Sequence, residues 1–203
     1  MITFERSFSQ KKHVTQKNLY EMYFCNFFYT LNGIMNIFFL SLVPKECAHL
    51  YCDQHVIKIL LEIVQMLYTA WHHSGTNDWN SSAPFTKDKS QRGYKKAHSN
   101  HPMTRWIRAS RGNYMFSALL GLHLAQEYTN RFGKIHACTS HIIWLYQHIP
   151  SFGCITKSPR TFYSSIGIPE CMPQEFWDQD VVIAYQNYYK SKKFDMRFTR
   201  HDE

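Results

Sequence analysis

Glycine and proline are scarce in this chain, which has 8 glycines and 7 prolines in 203 residues. A β-sandwich needs many turns, so this scarcity disfavours that fold and favours helices. The six cysteines include no pair at CxxC spacing, which excludes the common zinc-ribbon pattern. We interpret them as reduced thiols of an intracellular protein. The sequence also has no internal repeat and no glycine-rich phosphate loop.

Acidic residues are outnumbered: 15 Asp and Glu stand against 23 Lys and Arg, which gives a formal net charge of +8. This balance favours an anionic partner such as nucleic acid, a nucleotide or a membrane surface. Hydrophobic residues make up 44% of the chain, enough to bury a sizeable core and to exclude disorder throughout. The length fits one domain.

Charge is missing altogether from residues 22–43. This run is long enough to cross a bilayer, so residues 19–43, with a basic stretch before them, could anchor the chain in a membrane. Asparagines and a glycine interrupt the run, and its apolar residues are mostly aromatic. A different interpretation is that translation starts at Met35, where the composition changes. Residues 1–34 would then be an N-terminal extension and 35–203 the domain.

Helical periodicity dominates the rest of the sequence. The predicted helices run from Pro44 to about Trp71, from Pro102 to about Phe132, from Ile135 to His148 and from 175 to 192. Gly133 is expected to end the second of them. Residues 73–100 and 149–173 have the composition of long loops. The sequence therefore predicts an all-α fold, a compact single-domain helical bundle with long loops.

The first candidate site lies on the first predicted helix. His55, Lys58 and Glu62 recur at helical spacing, so their side chains project to one side. A carboxylate beside a histidine and an ammonium group can perform acid–base chemistry. The alternative is a solvated polar face. These spacings match no metal-ligand motif, and we expect no metal and no cofactor.

The second candidate site surrounds the start of the helix at Pro102. His98 and His101 precede this helix, and Arg108 and Asn113 follow. Backbone N–H groups and the positive end of the helix dipole attract phosphate at such a place. The alternative is that the histidine only caps the helix.

The third candidate site is the turn after the second predicted helix, where Arg131, Lys134 and His136 crowd together. They could bind a backbone phosphate of a nucleic acid. The alternative is a structural turn in which Glu127 and Arg131 form an i,i+4 ion pair.

The fourth candidate site is near the end of the chain. The cluster combines tyrosines with lysines, which is typical of surfaces that stack on bases and neutralise phosphates. Its members are Tyr185, Tyr188, Tyr189, Lys190, Lys192 and Lys193. The alternative is an amphipathic helix that docks its tyrosines on the core.

Several of these pieces carry a resemblance to known proteins. The chain from Met35 is similar to a group of small proteins of phages and large DNA viruses. The segments that carry this similarity are Met35-Asn36-Ile37-Phe38, Cys52-Asp53-x-His55, Asn100-His101-Pro102, and Glu127-Tyr128 with Arg131-x-Gly133-Lys134-x-His136. More distantly, the chain resembles the phage-type pyrimidine-dimer DNA glycosylases with apurinic/apyrimidinic (AP) lyase activity. In that family an Asp-Gln-His lies on the first long helix and the catalytic glutamate comes seven residues after the histidine, as Glu62 does here.

The resemblance implies a DNA-repair enzyme that acts on damaged, pyrimidine-dimer-containing double-stranded DNA. Its nucleophile would be the α-amine exposed when the start methionine is removed, which is the amine of Asn36 if Met35 is the start. An α-amine has a pKa of about 8, so a useful fraction of the amine groups is neutral at physiological pH. Glu62 would stabilise the cationic sugar and move protons, with His55 beside it. In the sequence as written Asn36 is internal, and Leu61 and Gln65 stand where the family has arginines.

Three other functions remain open at this stage. One is a different viral enzyme of nucleotide or nucleic-acid metabolism, which would use His55, Glu62, His101 and Lys134 on a phosphate-bearing ligand. Another is a non-enzymatic protein anchored in a membrane by residues 19–43. The third is a DNA-binding module without catalysis. A viral protein of any soluble kind would act in the cytoplasm or nucleus of its host cell, and the sequence does not decide the oligomeric state.

Overall fold

The predicted all-α fold is confirmed by a computed structural model. The structure describes residues 36–76, 78–152, 167–191 and 196–199, all within one compact unit, Met35–Glu203. Within these residues there are seven α-helices, one 3-10 turn and a single isolated β-bridge, between Phe85 and Arg92. The helices are α1 (Pro44–Leu50), α2 (Asp53–His73), α3 (Trp79–Ser82), α4 (Pro102–Ala109), α5 (Arg111–Phe132), α6 (Thr139–Gln147) and α7 (Val181–Ser191). The 3-10 turn is Gln174–Phe176.

The long helices α2 and α5 pack against each other and form the centre of the bundle. The apolar positions of α2 recur every three or four residues, and those predicted to share one face are all buried: Val56, Ile59, Leu60, Ile63 and Leu67. Helices α1, α4 and α6 pack against α5. The candidate catalytic residue Glu62 lies in the middle of α2, a 21-residue helix at the centre of the bundle.

The first predicted helix is wrong in one respect, because a break at Tyr51 and Cys52 divides it into α1 and α2. Both residues have extended backbones, with ψ angles of 140° and 162°. The break is stabilised by contacts from distant residues: the Tyr51 carbonyl accepts a hydrogen bond from Arg131, and the Cys52 N–H donates to the Tyr189 hydroxyl. The apolar residues keep their helical spacing through the break, so the sequence pattern does not predict a break at Tyr51 and Cys52.

The second predicted helix is likewise divided, at Ser110, into α4 and α5. Ser110 has an extended backbone and its Oγ accepts a hydrogen bond from the N–H of Asn113, which makes it the N-cap of α5. The predicted stop at Gly133 is confirmed, since this residue ends α5 in the left-handed conformation, with φ of 62°.

The last two predicted helices are shorter than expected. The third begins at Thr139 rather than Ile135, after a turn in which His136 accepts from the N–H of Cys138. The fourth starts only at Val181, where the Asp180 side chain accepts the otherwise free N–H of Val182 at 2.8 Å. The loop predicted at 149–173 is confirmed for its described ends, while residues 153–166 lie outside the described residues.

The proposed extension, residues 1–34, and most of the candidate membrane anchor 19–43 lie outside the described residues. The described part of that anchor, residues 36–43, is not helical, and its first five residues are buried against the helices. In the described ranges, none of the helices has both the length and the apolar character needed to cross a membrane.

Candidate functional site

The centre of the candidate site is a contact between the beginning of the described chain and the middle of α2. The backbone nitrogen of Asn36 donates to Oε2 of Glu62 at 3.0 Å. Both residues are buried. The Asn36 side chain is fixed as well, because its Nδ2 donates to the Cys171 carbonyl at 2.9 Å. The two residues to which the resemblance assigns catalysis are therefore direct neighbours, although 26 positions separate them.

Lys58 lies one helical turn before Glu62 and completes this centre. Its Nζ is 3.5 Å from Oε1 of Glu62, so the two carboxylate oxygens have different partners, one an ammonium group and the other the Asn36 N–H. Burial raises the pKa of Glu62 from 4.5 to about 7, although Lys58 and the Asn36 N–H oppose that rise. The raised pKa lets this carboxyl group both donate and accept a proton near neutral pH.

His55 belongs to the same face of α2 but has other partners. Its Nδ1 is 2.8 Å from the Tyr189 hydroxyl, and its ring stacks on Phe38 with 5.1 Å between centroids. Burial, and then the charge of Lys58, lowers the pKa of His55 to about 4, so the ring is neutral at physiological pH. We conclude that His55 positions the segment around Phe38 rather than supplying a charge to the site.

The segment 36–40 is held beside α2 by aromatic residues. The Tyr51 hydroxyl accepts from the N–H of Phe38 at 3.0 Å and donates to its carbonyl at 2.6 Å, so one side chain replaces the partner that a neighbouring strand would provide. The Phe38 ring contacts Tyr185, Tyr188 and Tyr189 of α7. These contacts give Asn36 a defined position beside Glu62.

Tyr188 and Tyr189 are buried, with 9% and 4% of their surface exposed, and their rings pack on Phe38. In this position they offer no free face to a nucleic-acid base. This arrangement matches the alternative stated for the fourth candidate site, in which an amphipathic helix docks its tyrosines on the core.

Arg131 is also buried and acts as a structural clamp. Its guanidinium donates to the carbonyls of His49 and Tyr51 and to the carboxylates of Asp53 and Glu127. The i,i+4 pair with Glu127 that the sequence suggested is present, at 2.8 Å. The guanidinium is occupied by these four partners and lies away from solvent.

The remaining residues of that turn are closer to the surface. Lys134 is exposed, whereas His136 is half-buried, and its ring meets the edge of Tyr128 at 4.8 Å. Burial lowers the pKa of His136, so this ring is neutral at pH 7. Lys134 alone of the three predicted phosphate ligands here presents a charge to solvent.

The residues around the start of α4 form a separate group. His101 is the N-cap, because its Nδ1 accepts from the N–H of Met103. Arg108 donates to the Ser99 carbonyl, Asn113 donates to the Trp106 carbonyl, and His98 is exposed with a φ of 48°. No hydrogen bond or ion pair within the described ranges joins this group to Glu62.

Sequence reasoning missed several residues that build the site. Phe38 was noted only as part of the resemblance, and neither Tyr51 nor Cys171 was singled out. The Cys171 contribution is a backbone carbonyl, for which a sequence carries no signal. Within the described part of the chain, no group of three or more His, Cys, Asp and Glu residues could hold a metal ion.

Comparison with known proteins adds no relative: no family model, no curated protein and no solved structure matches this chain.

Proposed function

We propose that this chain, in a form that begins at Asn36 after removal of Met35, is a DNA glycosylase with AP-lyase activity on pyrimidine-dimer DNA. The 3.0 Å contact between the Asn36 nitrogen and Glu62 Oε2 carries this proposal. In the shortened form that amide nitrogen becomes a primary amine held beside a carboxyl group. A general acid–base group must first be within hydrogen-bond distance of the atom it serves, and Glu62 meets this condition.

The chemistry follows from these two groups. The neutral amine attacks C1′ of the deoxyribose while the bond between C1′ and the base nitrogen breaks, and the protonated form of Glu62 donates a proton to the leaving base. The carboxylate then accepts a proton from the attached nitrogen. The bond between C1′ and O4′ then breaks, O4′ takes this proton back from Glu62, and an iminium ion remains between Asn36 and the sugar. The Glu62 carboxylate accepts a proton from C2′, and the electron pair of that C–H bond expels the 3′ phosphate by β-elimination, so the sequence needs no oxidant or reductant.

Lys58 tunes both partners through its charge. Its ammonium group, 3.5 Å from Glu62 Oε1, keeps part of the carboxyl ionised despite burial. The same positive charge disfavours protonation of a nearby amine and so increases the fraction of neutral nucleophile. Lys58 would thereby supply the positive charge that the resembling family obtains from arginines.

Binding of double-stranded DNA is supported by the net charge of +8 and by exposed cations such as Lys134. We assign Arg131, Tyr188 and Tyr189 to holding the site together, because their polar groups and rings are already occupied by protein partners.

Borohydride trapping tests the proposal. The form that starts at Met35 is expressed, removal of Met35 is verified by intact mass, and the protein is mixed with duplexes that carry a thymine dimer or an AP site. We expect a covalent protein–DNA band from this form and none from the full 203-residue chain, whose Asn36 nitrogen is an unreactive amide. Glu62→Gln is expected to lower strand cleavage at least about 100-fold. Glu46→Gln, which changes an exposed carboxylate on α1, is the matched control.

Three results would contradict the proposal: no band from folded protein with a free amine, an equal band from the full chain, or unchanged cleavage by Glu62→Gln. Tight binding of mononucleotides without DNA binding would favour the rival enzyme that acts on a small phosphate-bearing ligand. Binding of duplex DNA without trapping would leave a DNA-binding module.

A further inference from the structure

A concave site lies outside the region around Glu62. It is a cavity of about 410 Å³ between the end of α2 and the segment that follows α3. Its lining includes three aromatic residues, Trp79, Phe85 and Tyr94, and the basic residues His72, Arg92 and Lys95. Aromatic faces beside cations are the two features that bind an unpaired nucleotide, one for the base and one for its phosphate.

Phe85 and Arg92 form a ready-made stacking surface at this cavity. The two residues are partners in the isolated β-bridge, and the Arg92 guanidinium carbon lies 4.0 Å from the centroid of the Phe85 ring. Phe85 is 50% exposed although it is a large apolar residue. A hydrogen bond from Arg92 Nη1 to the Ala83 carbonyl, at 2.8 Å, also fixes the guanidinium. Both an aromatic ring and a planar guanidinium stack on nucleobases.

The core holds this surface in place. His141 Nε2 donates to the Phe85 carbonyl at 3.2 Å, which makes Nδ1 the acceptor of the Tyr68 hydroxyl at 2.9 Å. Gly93 has a φ of 63°, and a Cβ there would lie 2.6 Å from the Trp79 ring and 2.7 Å from the Tyr68 ring. Only glycine allows the backbone this close to the two rings, so the floor of the cavity is preorganised.

Basic side chains continue from this cavity along the end of α2. His72 lines the first cavity, and its neighbour His73 lines a second one, of about 240 Å³, together with Arg108. Burial, and then the positive charges of Arg108 and Lys96, lowers the pKa of His73. No ion pair in the described residues joins Arg92, Lys95 or Arg108 to a carboxylate. Asp88, in the same turn as Phe85, accepts hydrogen bonds from Thr86 and Ser90.

We infer that the cavity lined by Trp79, Phe85 and Tyr94 binds an unpaired nucleotide, with its base stacked on the Phe85–Arg92 pair and its phosphate near Lys95. A base has a π-face whatever its identity, so this site is expected to tolerate different sequences. The inference concerns binding alone and does not depend on the glycosylase proposed above.

The test measures fluorescence anisotropy of a labelled oligothymidylate with the full chain. We expect Phe85→Leu to weaken binding about tenfold, because stacking is lost while an apolar side chain is kept. Arg92→Lys keeps the charge but not the planar group, and about threefold weaker binding is expected from it. The matched controls are Tyr146→Leu, an exposed aromatic residue of α6, and Lys45→Gln, an exposed cation of α1. Thermal unfolding verifies that each variant is folded.

A second measurement uses the unaltered protein, so it does not depend on any variant. An oligonucleotide with 5-bromodeoxyuridine is irradiated with the protein, and the crosslinked peptide is identified by mass spectrometry. A crosslink within residues 79–95 supports the inference. A crosslink found only elsewhere, or Phe85→Leu and Arg92→Lys binding as tightly as the controls, would overturn it.

Thymidine monophosphate as a competitor distinguishes two sources of the nucleotide. Competition at the same concentration per nucleotide as the oligomer indicates a site for free nucleotides, and much weaker competition indicates a site for a strand. Both results support the cavity as the nucleotide site. The binding test uses the full chain, which has no amine at Asn36, whereas borohydride trapping uses the shortened form. Nucleotide binding can therefore fail while trapping succeeds, and trapping can fail while nucleotide binding succeeds.

Discussion

Glu62 shows how burial and partners shape a single residue. The sequence pairs it with His55, but residues seven apart on a helix are about 10 Å apart along its axis, so they share a face without touching. The partners of Glu62 are instead the Asn36 N–H and Lys58. The environment raises the pKa of this carboxyl group and lowers the pKa of His55, and burial is the main cause of both shifts.

The raised pKa of Glu62 predicts a pH-dependent stability. Between its ordinary value of 4.5 and about 7, the folded protein holds a proton that the unfolded chain has released. The free energy of unfolding contributed by Glu62 is therefore fully present below pH 4.5 and falls as pH rises, by up to about 1.4 kcal/mol per pH unit. Urea unfolding of wild type and Glu62→Gln at several pH values measures it, and the difference between them should fall from pH 5 to 7 and then level off.

His55 produces the opposite slope, because its lowered pKa makes the folded state lose stability as pH falls from 6.5 to about 4. It is present in both proteins, so its contribution cancels in the difference. Glu46→Gln, at an exposed carboxylate, serves as the control. A difference between wild type and Glu62→Gln that does not change with pH would show that Glu62 titrates normally.

At the scale of elements, the ends of the helices carry most of the disagreement with the sequence. The apolar pattern continues through the breaks at Tyr51 and at Ser110. Periodicity alone therefore predicts one continuous helix at each place where the structure has two. The break at Ser110 has a local cause, since serine is a preferred N-cap and its Oγ accepts from Asn113 N at 3.1 Å. The break at Tyr51 has a distant cause, the hydrogen bond from Arg131.

The Ser110 cap predicts a measurable loss of stability. Ser110→Ala removes the acceptor of the Asn113 N–H and should lower the free energy of unfolding by about 1 kcal/mol. Ser110→Gly should lower the free energy of unfolding by only a few tenths of about 1 kcal/mol, because glycine leaves the Asn113 N–H open to water. The comparison is made by urea unfolding with Ser140→Ala, an exposed serine in the first turn of α6, as the control. Equal midpoints for Ser110→Ala and the control would rule out a stabilising cap.

At the scale of the whole molecule, Arg131 joins parts of the chain that are distant in sequence. It links the end of α1 and the start of α2 to α5, and its partner Asp53 accepts hydrogen bonds from the N–H and Oγ1 of Thr199. Asp53 also donates its own N–H to the Arg197 carbonyl. One buried charge network thus fastens three helices and the described C-terminal segment 196–199 together.

Removal of the Arg131 guanidinium is predicted to damage this network. Arg131→Gln leaves the buried carboxylate of Asp53 without its ion-pair partner and should cost roughly 3–5 kcal/mol of stability. Amide hydrogen exchange at Thr199 should also become faster, because the Asp53 carboxylate loses the group that orients it. Arg131→Lys, which keeps the charge without the fork of donors, should be intermediate. Arg111→Gln, at the exposed first residue of α5, is the control, and a loss no larger than that of the control would contradict the clamp.

The sequence by itself determined the helical class, the apolar face of α2 and the stop at Gly133, because each depends on residues within a few turns of one another. It also directed attention to Asn36 and Glu62 through a resemblance in short motifs. The helical class, this apolar face and this stop depend little on contacts between distant parts of the chain.

Only the tertiary structure decided which polar residues face one another. Tyr188, Tyr189 and Arg131 have the composition of a nucleic-acid surface, yet distant parts of the chain hold them inside the protein. Arg131 donates to Asp53, 78 positions away, the Tyr189 hydroxyl accepts from Cys52, 137 positions away, and the Tyr188 ring packs on Phe38. The Phe85–Arg92 pair, in a segment predicted as a plain loop, is exposed because His141 and Gly93 hold its backbone against the core. Local propensity cannot encode such contacts, since the burial that makes them favourable exists only when distant segments pack together.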